Sequence, residues 1–393
     1  MSAPRNLNVK GERRLFLEVH VLQNFALSNL NRDDTGAPKT CDFGGARRAR
    51  ISSQCLKRAM RSHFRAQGLL PDEDLSYRTK LLKENLTRRL GSLGRGDTAE
   101  MLAGSIISHL GLRLKKEKTE YLLFVGEREV QALAGLGVEH EPVLLAAERS
   151  QDKAGKAKAG EVGKILLRAL DGGGAVDLAL FGRMIADMAE RNVDAAVQVA
   201  HAFSTHAVAT EFDFYSAVDD LQREDDEAGV GAGMLGTTLY NSSCYYRYAN
   251  LDAGQLTKNL GDHGHRARDA ATAFLKSVIH AVPSGKQTGS AAQNPPALVA
   301  FVVRDGALWS LANAFVQPVR PRADRDVVAL SAEAMLDHFG RLAALYGSGG
   351  IQHAGIATYL DLGAVPPPLR ATPSVDAAVQ EAVAVLAARQ EWN

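Results

Sequence analysis

Hydrophobic and polar positions alternate near the start of the chain and change to a helical spacing some thirty residues later. In Leu15–Leu22 every second residue is apolar, which predicts a strand with partial burial on its second face. We expect a polar loop over Asn24–Thr40. After Ser52–Ser53 apolar residues recur every four positions, which predicts an amphipathic helix. Its core-facing candidates are Cys55 or Leu56, Ala59 or Met60, and His63 or Phe64.

The remaining pattern predicts a helical block between strands. We expect helices over 81–93, 99–114, 142–149, 183–203, 267–281, 331–346 and 374–390, the last with Ser374 as its N-cap. The Lys-, Ala- and Gly-rich segment Gln151–Glu161 is typical of a mobile connector. Further strands are expected over 237–240, 245–249 and 297–303. Strands on both sides of a helical block favour one α+β sheet domain with large insertions.

Charge is concentrated in one segment of a nearly neutral chain. The 393 residues carry 46 basic and 45 acidic side chains, a net charge of +1. From Lys39 to Arg65 there are eight Lys or Arg residues and one acid, Asp42. Because the net charge is so small, the protein is not expected to coat nucleic acid by bulk charge. A groove that binds a phosphate backbone is the alternative.

Two interpretations of this basic segment stay open on spacing alone. Lys57, Arg61 and Arg65 recur every four residues beside Arg58, as in a solvated helix face. Three arginines in the preceding loop and Ser52–Ser53 at the helix start also suit an anion, since free N–H groups and the helix dipole attract negative charge there. Arginine can grip phosphate in a bidentate manner.

Other motifs exclude several classes of function. Gly231–Gly236 fits G-x-G-x-x-G, but an acidic segment precedes it and β-prone residues follow, so a dinucleotide site is not expected. Pro283–Gln287 lacks the first glycine and the Ser or Thr of a phosphate-binding loop. Three cysteines without C-x-x-C spacing predict neither disulfide nor zinc. No histidine or acidic motif requires a metal, and we expect no cofactor. The absence of a secretory signal or long apolar run predicts a cytoplasmic protein.

Together, seven segments resemble one known family. The sequence is similar to the CasC (Cse-type) backbone subunit of Cascade, the type I-E CRISPR surveillance complex. The resemblance rests on Leu30–Asp34, on Phe43–Gly45 with the basic run that follows, and on Gly182–Met184, Ala200–Leu221, Tyr245–Asp252, Pro283–Gln287 and Ala312–Phe315, in that order over about 300 residues.

The resemblance implies a fold shaped like a hand. Its palm is a modified RNA-recognition-motif (ferredoxin-like) sheet, with helical fingers inserted and a β-hairpin thumb. On this chain the palm would comprise residues 1–59, 183–204 and 241–393, the fingers 60–182 and the thumb 205–240.

The same resemblance implies a non-catalytic scaffold that binds guide RNA. The implied RNA-binding residues are Arg32, Lys39, Arg47, Arg50, Ser52, Gln54, Lys57, Arg61, Lys286 and Gln287. The thumb tip, Met234–Leu235, would displace a nucleotide of the guide held by the next copy, with Met184 at the junction of fingers and palm as its partner.

The implied partners are the guide RNA, target DNA paired with it, further copies of the chain head to tail, other Cascade subunits and a recruited nuclease-helicase. A rival interpretation comes from related type III complexes, whose backbone subunits cleave target RNA with a loop aspartate. Asp33 or Asp34 would have that role here. A small-molecule enzyme using the Gly-rich segment is a third possibility.

Overall fold

The structure is a computed structural model, and it describes residues 14–149, 153–172, 174–185, 188–217 and 234–392. Its strands are β1 (Leu15–Ser28), β2 (Thr40–Phe43), β3 (Ala46–Ile51), β4 (Ser76–Thr79), β5 (Leu114–Lys115), β6 (Lys118–Thr119), β7 (Leu123–Gly126), β8 (Val197–Val199), β9 (Ala202–Ser204), β10 (Glu211–Ala217), β11 (Met234–Asp252), β12 (Leu298–Asp305), β13 (Ile351–Thr358) and β14 (Arg370–Ala371).

The helices accompany a sheet whose central strand pairs are antiparallel, which confirms the α+β fold class. They are α1 (Ser53–Ala66), α2 (Leu82–Ser92), α3 (Ala99–His109), α4 (Glu127–Glu139), α5 (Glu141–Arg149), α6 (Lys153–Arg168), α7 (Val176–Phe181), α8 (Ala253–Asn259), α9 (Gly264–His280), α10 (Gln287–Ser290), α11 (Val327–Tyr346) and α12 (Val375–Gln390). Short 3₁₀ turns occupy Asp72–Asp74, Ala189–Arg191 and Leu311–Phe315.

Two compact units divide the chain. The first takes its described residues from 1–64, 198–251 and 271–389, and the second from 65–197, 252–270 and 390–393. The second unit thus holds most of the predicted insertion. The domain boundaries themselves stay a prediction.

A large sheet organises the first unit. In the described chain its order is β14-β13-β12-β1-β11-β9-β3-β2, with β8 and β10 also paired to β11. β1 pairs with β12 in antiparallel register from Leu15 opposite Asp305 to Leu22 opposite Leu298. β1 was predicted, but it continues to Ser28 through part of the expected loop, and both of its faces are buried because it is a central strand.

Aromatic side chains fill one face of this sheet. Tyr246 and Phe315 pack with ring centroids 5.3 Å apart, and Phe203 lies 6.0 Å from Tyr246. They belong to a core that also includes Met335 and Phe339 of α11. The helix therefore covers this face of the sheet.

The second unit has a core of helices. Buried leucine and isoleucine side chains of α2, α3, α4 and α6 pack together, joined by Leu123 and Val125 of β7. β7 pairs with β4 in a two-stranded sheet. The helices expected over 81–93 and 99–114 are thereby confirmed as α2 and α3, although α3 ends at His109 and β5 begins at Leu114.

Two predictions about segments near this core are wrong. Residues from Lys153 belong to helix α6, because Val162, Leu166 and Leu170 follow at helical spacing and are buried, and Ala and Lys are good helix formers. The helix predicted over 183–203 is also absent. Val197 and Val199 are buried with Gln198 exposed between them, and pairing of β8 and β9 with β11 overrides the local periodicity.

Candidate nucleic-acid interface

The three arginines Arg47, Arg48 and Arg50 lie on a strand, so the prediction that they occupy a loop is wrong. β2 and β3 form a hairpin closed by Gly44–Gly45, both with positive φ, as a tight two-residue turn requires. A Cβ at Gly44 would lie 1.7 Å from the Val316 carbonyl oxygen, so the turn approaches that backbone closely. Alternation along the strand puts Arg47 on one face and Arg48 with Arg50 on the other, and burial then separates Arg48 from Arg50.

Arg48 is a structural residue. Its guanidinium is buried and donates to the carbonyl oxygens of Ser204 at 3.0 Å and Phe315 at 2.8 Å. Arg47 is exposed and donates to the Thr40 hydroxyl, while Arg50 is half-buried. Arg47 and Arg50, which the family resemblance nominated, thus have side chains that solvent reaches.

Arg50 contacts a histidine that the sequence analysis left out of the site. Arg50 Nη1 lies 3.3 Å from His201 Nδ1, which also accepts from the Ser53 N–H at 3.3 Å. Burial, together with the charges of Arg50 and Lys39, lowers the pKa of His201. A neutral ring that accepts at Nδ1 carries its proton on Nε2, so this exposed side chain adds a donor beside the arginine.

The start of α1 is capped by side chains of its own unit. Asn31 Oδ1 accepts from the Ser52 N–H at 2.8 Å, and Ser52 Oγ accepts from the Cys55 N–H at 3.3 Å. With His201 on Ser53, three N–H groups at this helix start already have partners. These three N–H groups are therefore not free to bind an anion, as the sequence pattern had suggested, and Ser52 serves as the N-cap.

Backbone hydrogen bonds bring Lys39 and Arg32 next to this helix start. The Lys39 N–H donates to the Asn31 oxygen, and the Arg50 N–H donates to the Lys39 oxygen, both at 2.8 Å. Arg32 pairs with Pro38 and is exposed. Segments 31–39 and 50–53 thus form one surface.

The Gly-Lys-Gln loop joins the same surface. A Cβ on Gly285 would lie 2.4 Å from the Leu30 oxygen, so only glycine permits this approach. Lys286 follows, exposed and with φ of +51°. Gln287 donates its amide to the Pro283 oxygen at 3.0 Å and the Ala292 oxygen at 3.1 Å, which holds the loop closed.

We call Arg32, Lys39, Arg47, Arg50 and Lys286 the cation cluster. They lie on the neighbouring segments 31–39 and 46–53 and on the distant loop 285–287, whose backbones meet near the start of α1. Asp42 lies opposite Arg47 on the hairpin. Such a set of cations suits a phosphate backbone.

Helix α1 confirms its predicted core face and continues the basic surface. Leu56, Met60 and Phe64 are buried. Gln54 is exposed, whereas Lys57 and Arg61 are half-buried. Burial lowers the pKa of Lys57. The charged end of Lys57 is therefore partly withdrawn from water.

The aspartate loop does not favour the type III interpretation. Asp33 Oδ1 accepts from the Thr35 N–H at 2.9 Å, the Thr35 hydroxyl at 2.7 Å and the Ala37 N–H at 3.0 Å. The Thr35 hydroxyl, foremost among these donors, lowers the pKa of Asp33. Its carboxylate closes a turn. Among the residues that the structure describes, no group of three or more His, Cys, Asp or Glu could hold a metal ion.

An arm extends from β11 in the first unit. Residues 211–217 pair with 234–240 in antiparallel register, and the 218–233 segment between them lies outside the described residues. Phe212 and Phe214 are 69% and 79% exposed on this arm. Met234 and Leu235, the predicted tip, open β11 opposite Ala217 and Ser216. Residues 234–236 of the Gly-rich segment therefore begin a strand, and they open no helix as a dinucleotide site would need.

Met184 lies in the second unit with 87% of its surface exposed. No other large apolar side chain in the described chain is as exposed. The family resemblance alone suggested Met184 as the partner of the thumb tip, and neither composition nor hydrophobic spacing points to this residue.

Three site features were missed at the level of sequence. His201, Asn31 and Gly285 act through contacts with residues far along the chain or through backbone proximity. Asn31 was noted as part of a motif, but its cap on Ser52 depends on a fold that brings 31 and 52 together.

The sequence matches the CT1975-like protein family over residues 17–379, so the chain belongs to that family. It is similar to a chain of a solved "CRISPR RNA-guided surveillance complex, pre-nicking", with a TM-score of 0.77, 28% identity, and coverage of 93% of this chain and 100% of that one. It is also similar to a chain of another "CRISPR RNA-guided surveillance complex", with a TM-score of 0.70 and 25% sequence identity. That match covers 94% of this chain and 99% of the other.

No curated protein matches the sequence significantly. Within the described residues, no helix combines the length and hydropathy needed to cross a bilayer.

Proposed function

We propose that this protein is a non-catalytic backbone subunit of a CRISPR surveillance complex that binds the guide RNA, and more specifically the CasC (Cse-type) subunit of type I-E. The observation that carries the proposal is the cation cluster, assembled from three separate segments on a chain of net charge +1. Similarity over almost the whole length to a chain of an RNA-guided surveillance complex supports it.

Phosphate contacts suit a scaffold that must accept any guide. Arg32, Lys39, Arg47, Arg50 and Lys286 would hold the sugar-phosphate backbone, with Gln54, Lys57 and Arg61 along α1. Contacts of this kind fix the position of a strand and read no sequence. Base pairing with target DNA then supplies the specificity.

Several copies would line up head to tail on one guide. Heterologous contacts of this type build open helical filaments. The arm of one copy would fold over the guide held by the next, and Met184, Met234 and Leu235 would part the bases at a regular interval. Parting a base step costs a few kcal/mol of stacking, which a large apolar side chain can offset.

The wider partners follow from this role. Other Cascade subunits would bind the ends of the filament, and a recruited nuclease-helicase would cut the DNA, so this chain needs no catalytic residue. We place the complex in the cytoplasm. The capped carboxylate of Asp33 supports a non-catalytic loop.

The test is guide-RNA affinity measured against salt concentration. Lys39→Glu with Arg50→Glu should weaken binding of every guide sequence alike. It should also flatten the slope of log affinity against log salt by about 0.7 per lost phosphate contact. Arg370→Glu is the matched control, because Arg370 is exposed on β14 at the opposite edge of the sheet. Equal affinities for the double variant and the control would contradict the proposal.

A further inference from the structure

Met184 stands on a short closed loop in the second unit. Arg183 and Val193 form an antiparallel bridge, each donating its N–H to the other's oxygen at 2.9 Å. Next to the bridge, the Ile185 N–H donates to Asn192 Oδ1 at 2.6 Å. Gly182 has φ of +76°, and a Cβ there would lie 2.8 Å from the Val193 oxygen. The backbone N–H groups on both sides of Met184, at Arg183 and Ile185, are therefore hydrogen-bonded.

The side chain of Arg183 ties this loop to the interior of its unit. The guanidinium is buried and donates through Nη2 to the Leu170 oxygen at 3.0 Å and through Nε to the Arg191 oxygen at 3.2 Å. Nη1 lies 2.8 Å from both carboxylate oxygens of Glu129. The Arg183 side chain thus bonds to Arg191 near the other end of the loop and to the backbone at Leu170.

Glu129 is held as firmly as its partner. It is fully buried, and it accepts from the Gly126 N–H at 2.7 Å and the Gly172 N–H at 2.8 Å. Gly126 precedes helix α4, and Glu129 lies in its first turn, so the carboxylate caps its own helix as well. A buried charge pair with all of these hydrogen bonds has one well-defined geometry.

We propose that Arg183, held by Glu129, is a positioning residue that fixes Met184 as a wedge before any RNA binds. The inference rests on the proposed function, which gives Met184 the role of parting bases of the guide. An apolar side chain on a mobile loop would lose conformational entropy each time it entered a base step. The bridge, the bond from the Ile185 N–H to Asn192 and the buried pair remove the backbone part of that cost in advance.

The experiment probes ribose flexibility along the guide by 2′-hydroxyl acylation in the assembled complex. Wild-type complex should show reactive nucleotides at a regular interval. Met184→Ala should lose these peaks. Asn192→Ala changes an exposed residue and removes only the acceptor of the Ile185 N–H. Arg183→Lys removes the guanidinium and its several hydrogen bonds. Both variants should lose the reactive peaks while they retain affinity for the guide.

Asp194→Ala is the control, because this exposed side chain makes no hydrogen bond or ion pair in the described chain. Thermal unfolding of each variant separates misfolding from misplacement, and if Arg183→Lys does not fold, Asn192→Ala decides. Full peaks in a folded Arg183→Lys or in Asn192→Ala, together with their loss in Met184→Ala, would overturn the inference. Full peaks in Met184→Ala would overturn it too. Failure of the proposed function is distinct, since wild-type complex would then protect no guide at all.

Discussion

Two arginines adjacent in sequence on β3 have opposite environments. Arg48 is buried under the carbonyl oxygens of Ser204 and Phe315, whereas Arg47 is exposed beside Thr40. We expect Arg48→Ala to destabilise the fold by about 3 kcal/mol, because buried acceptors lose their donor and a cavity remains. Arg47→Ala should leave the unfolding free energy within about 0.5 kcal/mol of wild type and weaken RNA binding.

Chemical denaturation and RNA titration of both variants check this pair. Equal losses of unfolding free energy in Arg48→Ala and Arg47→Ala would show that the buried hydrogen bonds of Arg48 do not stabilise the fold. Retained RNA affinity in Arg47→Ala would remove Arg47 from the cation cluster.

Glu18 on β1 predicts a dependence of stability on pH. Burial, opposed by Arg304 at 3.5 Å, raises the pKa of Glu18 from 4.5 to about 7. Between those values the folded state keeps a proton that the unfolded chain has lost, so stability should fall as pH rises from 4.5 to 7. Burial also lowers the pKa of His20 from 6.5 to about 3, so its contribution is lost as pH falls from 6.5 towards 3.

The two groups oppose each other between pH 4.5 and 6.5, and Glu18→Gln separates them. This variant keeps His20 and removes the carboxyl titration. Its unfolding free energy, relative to wild type, should therefore rise with pH through the window from 4.5 to 7. Parallel pH profiles for the two proteins would show that Glu18 titrates normally in the fold.

At the scale of elements, the loop before α10 depends on one glycine. Gly285 lies against the backbone at Leu30, which cannot move aside as a flexible side chain could. We expect Gly285→Ala to cost about 2 kcal/mol and to weaken RNA binding as much as Lys286→Ala, because the loop must shift.

Gly289→Ala is the matched control for that substitution. A Cβ there would meet only the Tyr240 hydroxyl oxygen at 3.9 Å, so it should be tolerated. Thermal unfolding and RNA titration compare the two. Wild-type RNA affinity in Gly285→Ala would show that the close approach does not position Lys286.

Element prediction succeeded where a local pattern decides the structure. α1 buries Leu56, Met60 and Phe64 at the predicted interval, and Ser374 Oγ accepts from the Ala377 N–H at 3.1 Å at the start of α12. The pattern failed for Val197 and Val199, where strand pairing decides. It also failed for Arg48, since Gly44–Gly45 signals a hairpin but no spacing tells which arginine faces the interior.

At the scale of the whole chain, the first unit's sheet keeps one face away from solvent. RNA-recognition motifs stack bases on exposed aromatic residues of their sheet. Here the sheet residue Tyr246 is buried against Phe315 and the core residues of α11. Within this unit the cation cluster instead lies around the start of α1 and the β2–β3 edge, so the proposed RNA contacts need no base stacking on the sheet.

The resemblance could name residues that no pattern could place. It nominated Arg32, Lys39, Arg50 and Lys286 together, and contacts through Asn31 and Leu30 bring their segments into one surface. His201 required the structure, because only the fold sets it beside Arg50.

The central claim is that this chain holds guide RNA as part of a surveillance complex. The most direct measurement is to purify the protein with its associated subunits from cells and to sequence the RNA that it retains. We expect spacers flanked by repeat sequence, in excess over all other RNA, and their loss from Lys39→Glu with Arg50→Glu. Retention of no RNA, or of cellular RNA without repeat-flanked spacers, would contradict the account.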